Sequence, residues 1–194
     1  MKKEIIEIRM HGRGGMGSKT AGHLLALAAL KEGKYVQAFP EYGPERSGAP
    51  VKTYIKISDK KIKSFSPIKH AEVVVIIDSS LINEIDIRKT LSKDCIIIAN
   101  CKRECEVCKD EGCELHKIKP KYRTYSVGAS NIAIKNLGKD IPNIVMLGAL
   151  VKITNVVNKD FLIKEVREHF LEKIGKEKTE ANIKSFEEGY GNVK

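Results

Sequence analysis

The chain predicts an α/β fold: one three-layer α/β/α domain around a mostly parallel sheet. Three observations carry that expectation. Short runs rich in Ile and Val alternate with segments of helical periodicity, the pattern of strands joined by crossover helices. Two of the runs, Val73 to Ile77 and Cys95 to Asn100, are apolar on both faces, as strands buried inside a parallel sheet are. A glycine-rich turn, Gly12 to Gly17, separates the first strand from the first helix, a junction suited to holding an anion. The 194 residues suffice for one domain with a sizeable core, so residues 1–194 are expected to form a single unit, with an unusual Cys-rich segment at 101–121.

Taken in order, Ile5-Ile-Glu-Ile8 alternates as a strand, and Arg9 to Thr20 reads as the turn that opens a helix. In that helix Ala21, Leu24, Leu25 and Ala28 share one face. Glu32-Gly33-Lys34 ends it, and Tyr35 to Phe39 reads as the second strand. Pro40 to Pro50 reads as a loop stiffened by three prolines. Its Glu41, Glu45 and Arg46 suit a ligand or subunit surface, or else a connector in which Arg46 pairs with a glutamate. Val51, Thr53, Ile55 and Ile57 alternate with Lys52, Tyr54 and Lys56, a strand with one wet face. After Val73 to Ile77, Asp78-Ser79-Ser80 caps a helix expected from Leu81 to Leu91. Asp78 also stands at a strand's carboxyl end, where open α/β sheets bind ligands, although capping is its simpler role. Cys95 to Asn100 and Tyr122 to Val127 are further strands, and Cys95 is expected to be core. Short and long helices follow at Gly128 to Leu137 and Ile144 to Val157. An amphipathic helix follows Asp160 with Phe161, Val166, Phe170 and Ile174, and the charged tail from Lys176 has one helix around Ile183 and Phe186.

The glycine turn admits three readings. Gly12, Gly14 and Gly17 have the G-x-G-x-x-G spacing of a dinucleotide site, but the acidic residue that should close the second strand, Glu41, lies beyond Pro40. A phosphate-binding P-loop fails because Lys19 follows Ser18 rather than a glycine. A purely structural turn would not need three glycines with Arg13 and Lys19 beside them. An anion site is the reading preferred here, with its ligand left open by spacing alone. No paired carboxylate or nucleophile accompanies His11, so no catalytic residue is assigned.

Net charge is +10, from 35 Lys and Arg against 25 Asp and Glu, which favours anionic partners. Nucleic acid is not expected, since aromatics are 6%, tryptophan is absent and no RNA-binding signature occurs. No apolar run reaches the length of a membrane span and the first residues lack a signal-peptide core, so a cytoplasmic location without membrane contact is expected. In a reducing compartment, the four clustered thiols of Cys101, Cys105, Cys108 and Cys113 suggest a metal more than disulfides. Their spacing fits no familiar iron–sulfur motif, so zinc is the preferred ion, with thiols that bind nothing as the rival.

Three motifs together resemble one family. They are His11-Gly-Arg-Gly-Gly-Met-Gly17, Tyr35-Val-Gln-Ala-Phe-Pro-Glu-Tyr-Gly-Pro-Glu-Arg-Ser-Gly-Ala-Pro50 and Pro142-Asn-Ile-Val-Met-Leu-Gly-Ala-Leu150. In this order they resemble the gamma subunit of 2-oxoacid:ferredoxin oxidoreductases, the pyruvate enzymes most of all. The family usually has Gln where this chain has Met16, and it does not require the cysteine stretch. The resemblance implies a complex in which alpha and beta subunits hold thiamine diphosphate, and beta and delta subunits hold iron–sulfur clusters. Pyruvate and coenzyme A would give acetyl-CoA and carbon dioxide, with the electrons passing to ferredoxin. It further implies that this subunit closes over coenzyme A. Gly12, Arg13, Gly14, Gly15, Gly17 and Arg46 are the residues inferred to serve the phosphates.

Overall fold

The computed structural model describes residues 4–42, 48–63, 65–84, 91–101 and 121–194. In chain order these are β1 (Ile5–Arg13), α1 (Ser18–Lys31), β2 (Tyr35–Tyr42), β3 (Pro50–Ser58), β4 (Ala71–Ile76), α2 (Leu81–Glu84), β5 (Leu91–Asn100), β6 (Arg123–Val127), α3 (Ala129–Leu137), α4 (Asn143–Thr154) and α5 (Lys159–Asn192). The strands form one sheet in the order β2-β3-β1-β4-β5-β6. β1, β4, β5 and β6 run parallel, while β3 is antiparallel to both β1 and β2. The sheet is therefore mostly parallel, as the both-faces-apolar strands require.

Side chains alternate across a strand, so Ile8 and Met10 of β1 face one side and Arg9 and His11 the other. The first face carries the main core: Ile8, Met10, Ile55, Ile57, Val75 and Ile98 pack beneath residues of α1, α3, α4 and α5. The second holds a smaller cluster of Tyr54, Val74, Ile76, Cys95, Ile97 and Ala99, with Ile68 from the β3–β4 connection and Ile82 of α2. Burial raises the Cys95 thiol to about 12, so it stays protonated as core. α4 is buried at every position from Asn143 to Val151, a helix apolar all round and enclosed by its neighbours. α5 bends where Gly175 takes φ 77° and ψ 170°, and its second half, with Ile183 and Phe186, packs back on the core. Among the described residues, no helix is long and apolar enough to cross a membrane.

Several boundaries differ from expectation, each for a reason of pairing. β1 continues from Arg9 to Arg13, which pair with Tyr54 to Pro50 of β3 instead of lying in the turn. β2 continues through Pro40 to Tyr42 and β3 begins at Pro50, so both ends of the loop expected at Pro40 to Pro50 are strand, while residues 43–47 lie outside the described residues. Proline is tolerated there because β2 is an edge strand and needs no donor on its open side. Leu91 does not end a helix: it is buried opposite Ala71 and begins β5. α4 stops at Thr154 because Asn155 takes a left-handed conformation (φ 47°).

Candidate functional site

The chain runs from β1 to β2 and β3 on one side of the sheet, and to β4, β5 and β6 on the other. β1 and β4 are therefore parallel neighbours whose connections leave in opposite directions. The crevice beyond their carboxyl ends is the switch point where such sheets bind ligands. The glycine loop stands at this point. His11 O accepts the Ile77 N–H at 2.7 Å, extending the β1–β4 ladder to the mouth of the crevice.

Each glycine has a separate reason. A Cβ on Gly12 would lie 3.2 Å from Ser18 Cβ and 3.5 Å from Ile77 Cβ, where strand end, helix start and β4 converge. Gly15 has φ 96° and open space around it. Gly17 is the N-cap of α1 at φ 75°, and a Cβ there would meet Asn143 Nδ2 at 2.3 Å. Asn143, at the start of α4, donates to Gly17 O at 3.1 Å and clamps the loop to a second helix. The first ladder bond of α1 is Ala21 N–H to Gly17 O, 2.9 Å. Ser18, Lys19 and Thr20 thus have no acceptor within the helix, and the positive end of its dipole opens at the loop.

Arg13 spans the crevice. Its Nε donates to Asp78 Oδ2 at 2.8 Å, its Nη2 to Ser80 Oγ at 2.8 Å and its Nη1 to Gly48 O at 3.2 Å. Asp78 Oδ1 also accepts the Ser80 N–H at 3.0 Å, a local turn bond just before α2 rather than a bond to a helix N–H. Its ion pair with a residue 65 positions away could not be read from the sequence. Gly14 N–H donates to Ala49 O at 2.9 Å, tying the loop to the approach of β3. Arg46 lies outside the described residues, as do Cys105, Cys108 and Cys113. Cys101 follows β5 and donates its N–H to Val127 O at 3.0 Å. Among the described residues no group of three or more His, Cys, Asp or Glu is placed to hold a metal.

Glu41, the nearest candidate for the acid of a dinucleotide site, belongs to β2, which β3 separates from β1. Its carboxylate accepts the Tyr54 hydroxyl at 2.5 Å, a bond that holds its pKa below the ordinary carboxylate value. Burial and this bond push Tyr54 up to about 12. On the same face His11 is buried beside Arg9 and Lys52, and neither ring nitrogen has a hydrogen-bond partner among the described residues. Desolvation, then the two cations, lower it to about 3, so the ring is neutral and no acid–base catalyst at ordinary pH. The alternation Arg9, His11 on β1 opposite Tyr54, Lys52 on β3 is the signal that could have marked this polar face. A separate cleft of about 520 Å³, lined by Glu32, Asn155, Asn158, Lys159 and Tyr190, lies at the far end of α1.

A glycine-lined helix N-terminus at the switch point of an α/β sheet, bridged to the end of β4 by an arginine, defines the class as an open α/β domain. Comparison with known proteins makes the class specific. Residues 7–191 match the family described as pyruvate ferredoxin/flavodoxin oxidoreductase. The chain is 40% identical over 192 residues to pyruvate synthase subunit PorC of Thermotoga maritima, covering 99% of this chain and 96% of that one. It is 41% identical over 186 residues to the pyruvate/ketoisovalerate oxidoreductases common subunit gamma of Thermococcus kodakarensis, 96% of each. The solved structure of the Thermotoga maritima pyruvate oxidoreductase subunit PORC matches with TM-score 0.81 at 36% identity, over 99% of this chain and 98% of that one. The fold also matches, with TM-score 0.80 at 20% identity, 31% of a chain of 2-oxoglutarate:ferredoxin oxidoreductase from Magnetococcus marinus, over 98% of this chain. The chain belongs to the pyruvate ferredoxin/flavodoxin oxidoreductase family, and within it is a gamma-type subunit of the oxidoreductase.

Proposed function

We propose that this chain is the gamma subunit of a pyruvate:ferredoxin oxidoreductase and that its glycine loop holds the phosphates of coenzyme A. The complex would convert pyruvate, coenzyme A and oxidised ferredoxin into acetyl-CoA, carbon dioxide and reduced ferredoxin, reversibly. Partner alpha, beta and delta subunits would carry thiamine diphosphate and the iron–sulfur clusters. The observation that carries the coenzyme A assignment is the loop itself: Gly12 to Gly17 opens α1 at the β1–β4 switch point, with Arg13 stretched across the crevice. Backbone donors at a helix start, glycines permitting close approach and one guanidinium are what a diphosphate requires. The Magnetococcus marinus relative of this fold carries coenzyme A and succinyl-CoA in its structure. Arg46, from the Tyr35 to Pro50 motif, is assigned to the same ligand. A branched-chain 2-oxoacid is the second reading, favoured by the Thermococcus kodakarensis relative's being common to pyruvate and ketoisovalerate enzymes.

Arg13→Ala in the reconstituted complex tests the assignment. A charge-assisted contact is worth about 1.5–3 kcal/mol, so the KM for coenzyme A should rise roughly ten- to hundredfold. Decarboxylation in the absence of coenzyme A should stay at the wild-type rate. Arg13→Lys should recover part of the loss, since the charge remains and the planar fork does not. An unchanged KM would leave Arg13 only the role of tying β1 to Asp78.

We further infer that Cys101, Cys105, Cys108 and Cys113 hold one zinc ion. Four thiolates form a closed tetrahedral set, and their grouping within one short segment favours a local structural site. Anaerobically purified protein should then contain about one zinc per chain. Metal-free protein with all four thiols open to alkylation would remove this inference.

A further inference from the structure

We propose that the β3–β4 connection is a docking surface for an acidic face of a partner subunit, with Phe65 as its apolar anchor. This rests on the subunit reading above but not on the coenzyme A assignment. The connection lies at the end of the sheet opposite the glycine loop. Ser58, which closes β3, pairs with Ile5 at the start of β1, and Ala71 opens β4 parallel to β1.

Large apolar residues recur in it at Ile62, Phe65 and Ile68. The two isoleucines go inward, at 6% and 3% exposure, and Ile68 joins the second-face core. Gln37 Nε2 of β2 donates to Ile62 O at 3.5 Å, which with the two buried isoleucines holds the segment to the face it crosses. With both flanking isoleucines buried, Phe65 is left outside at 86% exposure. A lone exposed phenylalanine needs no explanation. This one stands in a stretch where lysines outnumber acidic residues. Lys60 pairs with Glu4 at 2.5 Å, but the exposed Lys61, Lys63 and Lys69 have no acidic partner among the described residues. From Asp59 to His70 there are four lysines against one aspartate.

An exposed aromatic ring on a segment rich in exposed lysines has the composition of an interface centre. The rigid ring enters an apolar recess at small entropic cost, and the lysines meet carboxylates around it. Nucleic acid fits less well, since one aromatic and no arginine give neither a stacking row nor a bidentate phosphate contact.

The experiment compares complexes co-expressed with the wild-type chain, Phe65→Ser, and Lys61→Glu with Lys63→Glu. Dissociation of this subunit is followed by size-exclusion chromatography across a salt series, with the melting temperature of the isolated full-length chain measured in parallel. The expected result is at least a tenfold weaker association for both variants with the melting temperature unchanged. The salt dependence of association should also be flatter in the lysine variant, and the KM for coenzyme A of the complex that does form should be that of the wild type. Assembly of both variants at wild-type strength overturns the proposal. So does loss of binding to phosphatidylserine vesicles or to RNA in Phe65→Ser with assembly intact, which would make the surface a membrane or nucleic-acid contact. A wild-type chain that fails to co-assemble overturns the subunit reading itself.

Discussion

Gly148→Ala and Gly189→Ala are each expected to destabilise the protein by about 3 kcal/mol, at the upper end of overpacking costs. The residues lie where α4 crosses the second half of α5. A Cβ on Gly148 would sit 2.1 Å from Phe186 O and 2.8 Å from Tyr190 N, and one on Gly189 would sit 2.1 Å from Val145 O. The obstacles are backbone atoms, so no side chain can turn aside. The helices must move apart, which loosens the packing around Val145 and Phe186 in the main core. For a domain of this size about 3 kcal/mol corresponds to a fall in Tm of roughly 6–12 °C. Circular dichroism melts of the full chain would measure it. Gly191→Ala is the control: nothing lies within 4 Å of its added carbon, and alanine's helix propensity should leave Tm unchanged or slightly raised. The double variant should cost less than the sum, because the first methyl already separates the helices. Melting points of the single variants equal to the wild type would mean that the crossing is looser than its backbone distances.

Acidification from pH 6.5 to 4.5 should cost the folded chain roughly 2 kcal/mol through His11 alone. The folded ring resists protonation down to about 3, because it is buried and faces Arg9 and Lys52, whereas the unfolded ring takes its proton near 6.5. A group whose folded pKa is depressed in this way favours the unfolded state as it charges. The stability it supports is complete above pH 6.5 and drains away at about 1.4 kcal/mol per pH unit as pH falls toward 3. Glu41, whose pKa is also lowered, chiefly by the Tyr54 hydroxyl, adds a slope of the same sign near pH 4.5, and it is common to the wild type and the variant. His169 is shifted in the same direction by burial and by Lys173, so the wild-type slope contains both histidines. Urea unfolding at pH 6.5, 5.5 and 4.5, for the wild type and His11→Asn, isolates the His11 part as a difference in slope. Equal slopes would show that the ring meets water or an acceptor in solution.

Much of the scaffold was legible as local pattern. Val73 to Ile77 and Cys95 to Asn100 read as buried parallel strands because their apolar residues do not alternate, and both stand in the interior of the sheet. Met146, Leu147 and Leu150 read as core from their spacing and are buried in α4. The strand–glycine–helix junction was recognisable because turn, cap and dipole all arise within a dozen residues. The motifs that mark the family are likewise contiguous stretches of chain.

What the tertiary structure alone decided is how distant segments meet. Pro40 signalled a loop and became strand, because only pairing shows that β2 is an edge that can spare a donor. Arg13 and Asp78 were each visible as charged residues at element ends, but their ion pair exists because β1 and β4 are neighbours. Asn143 reaches Gly17 across 126 residues, and Gly148 and Gly189 are small because two helices cross where their backbones nearly touch. His11 read as a loop residue beside an anion site. Its burial follows from β1 running five residues further, to Arg13, with His11 in register with Lys52 of β3, which turns the ring to the second face of the sheet. Periodicity reports which residues along a few turns or pleats share a side. Register, strand order and close approach are set by free energy summed over contacts between segments far apart in the chain, and no local window contains that sum.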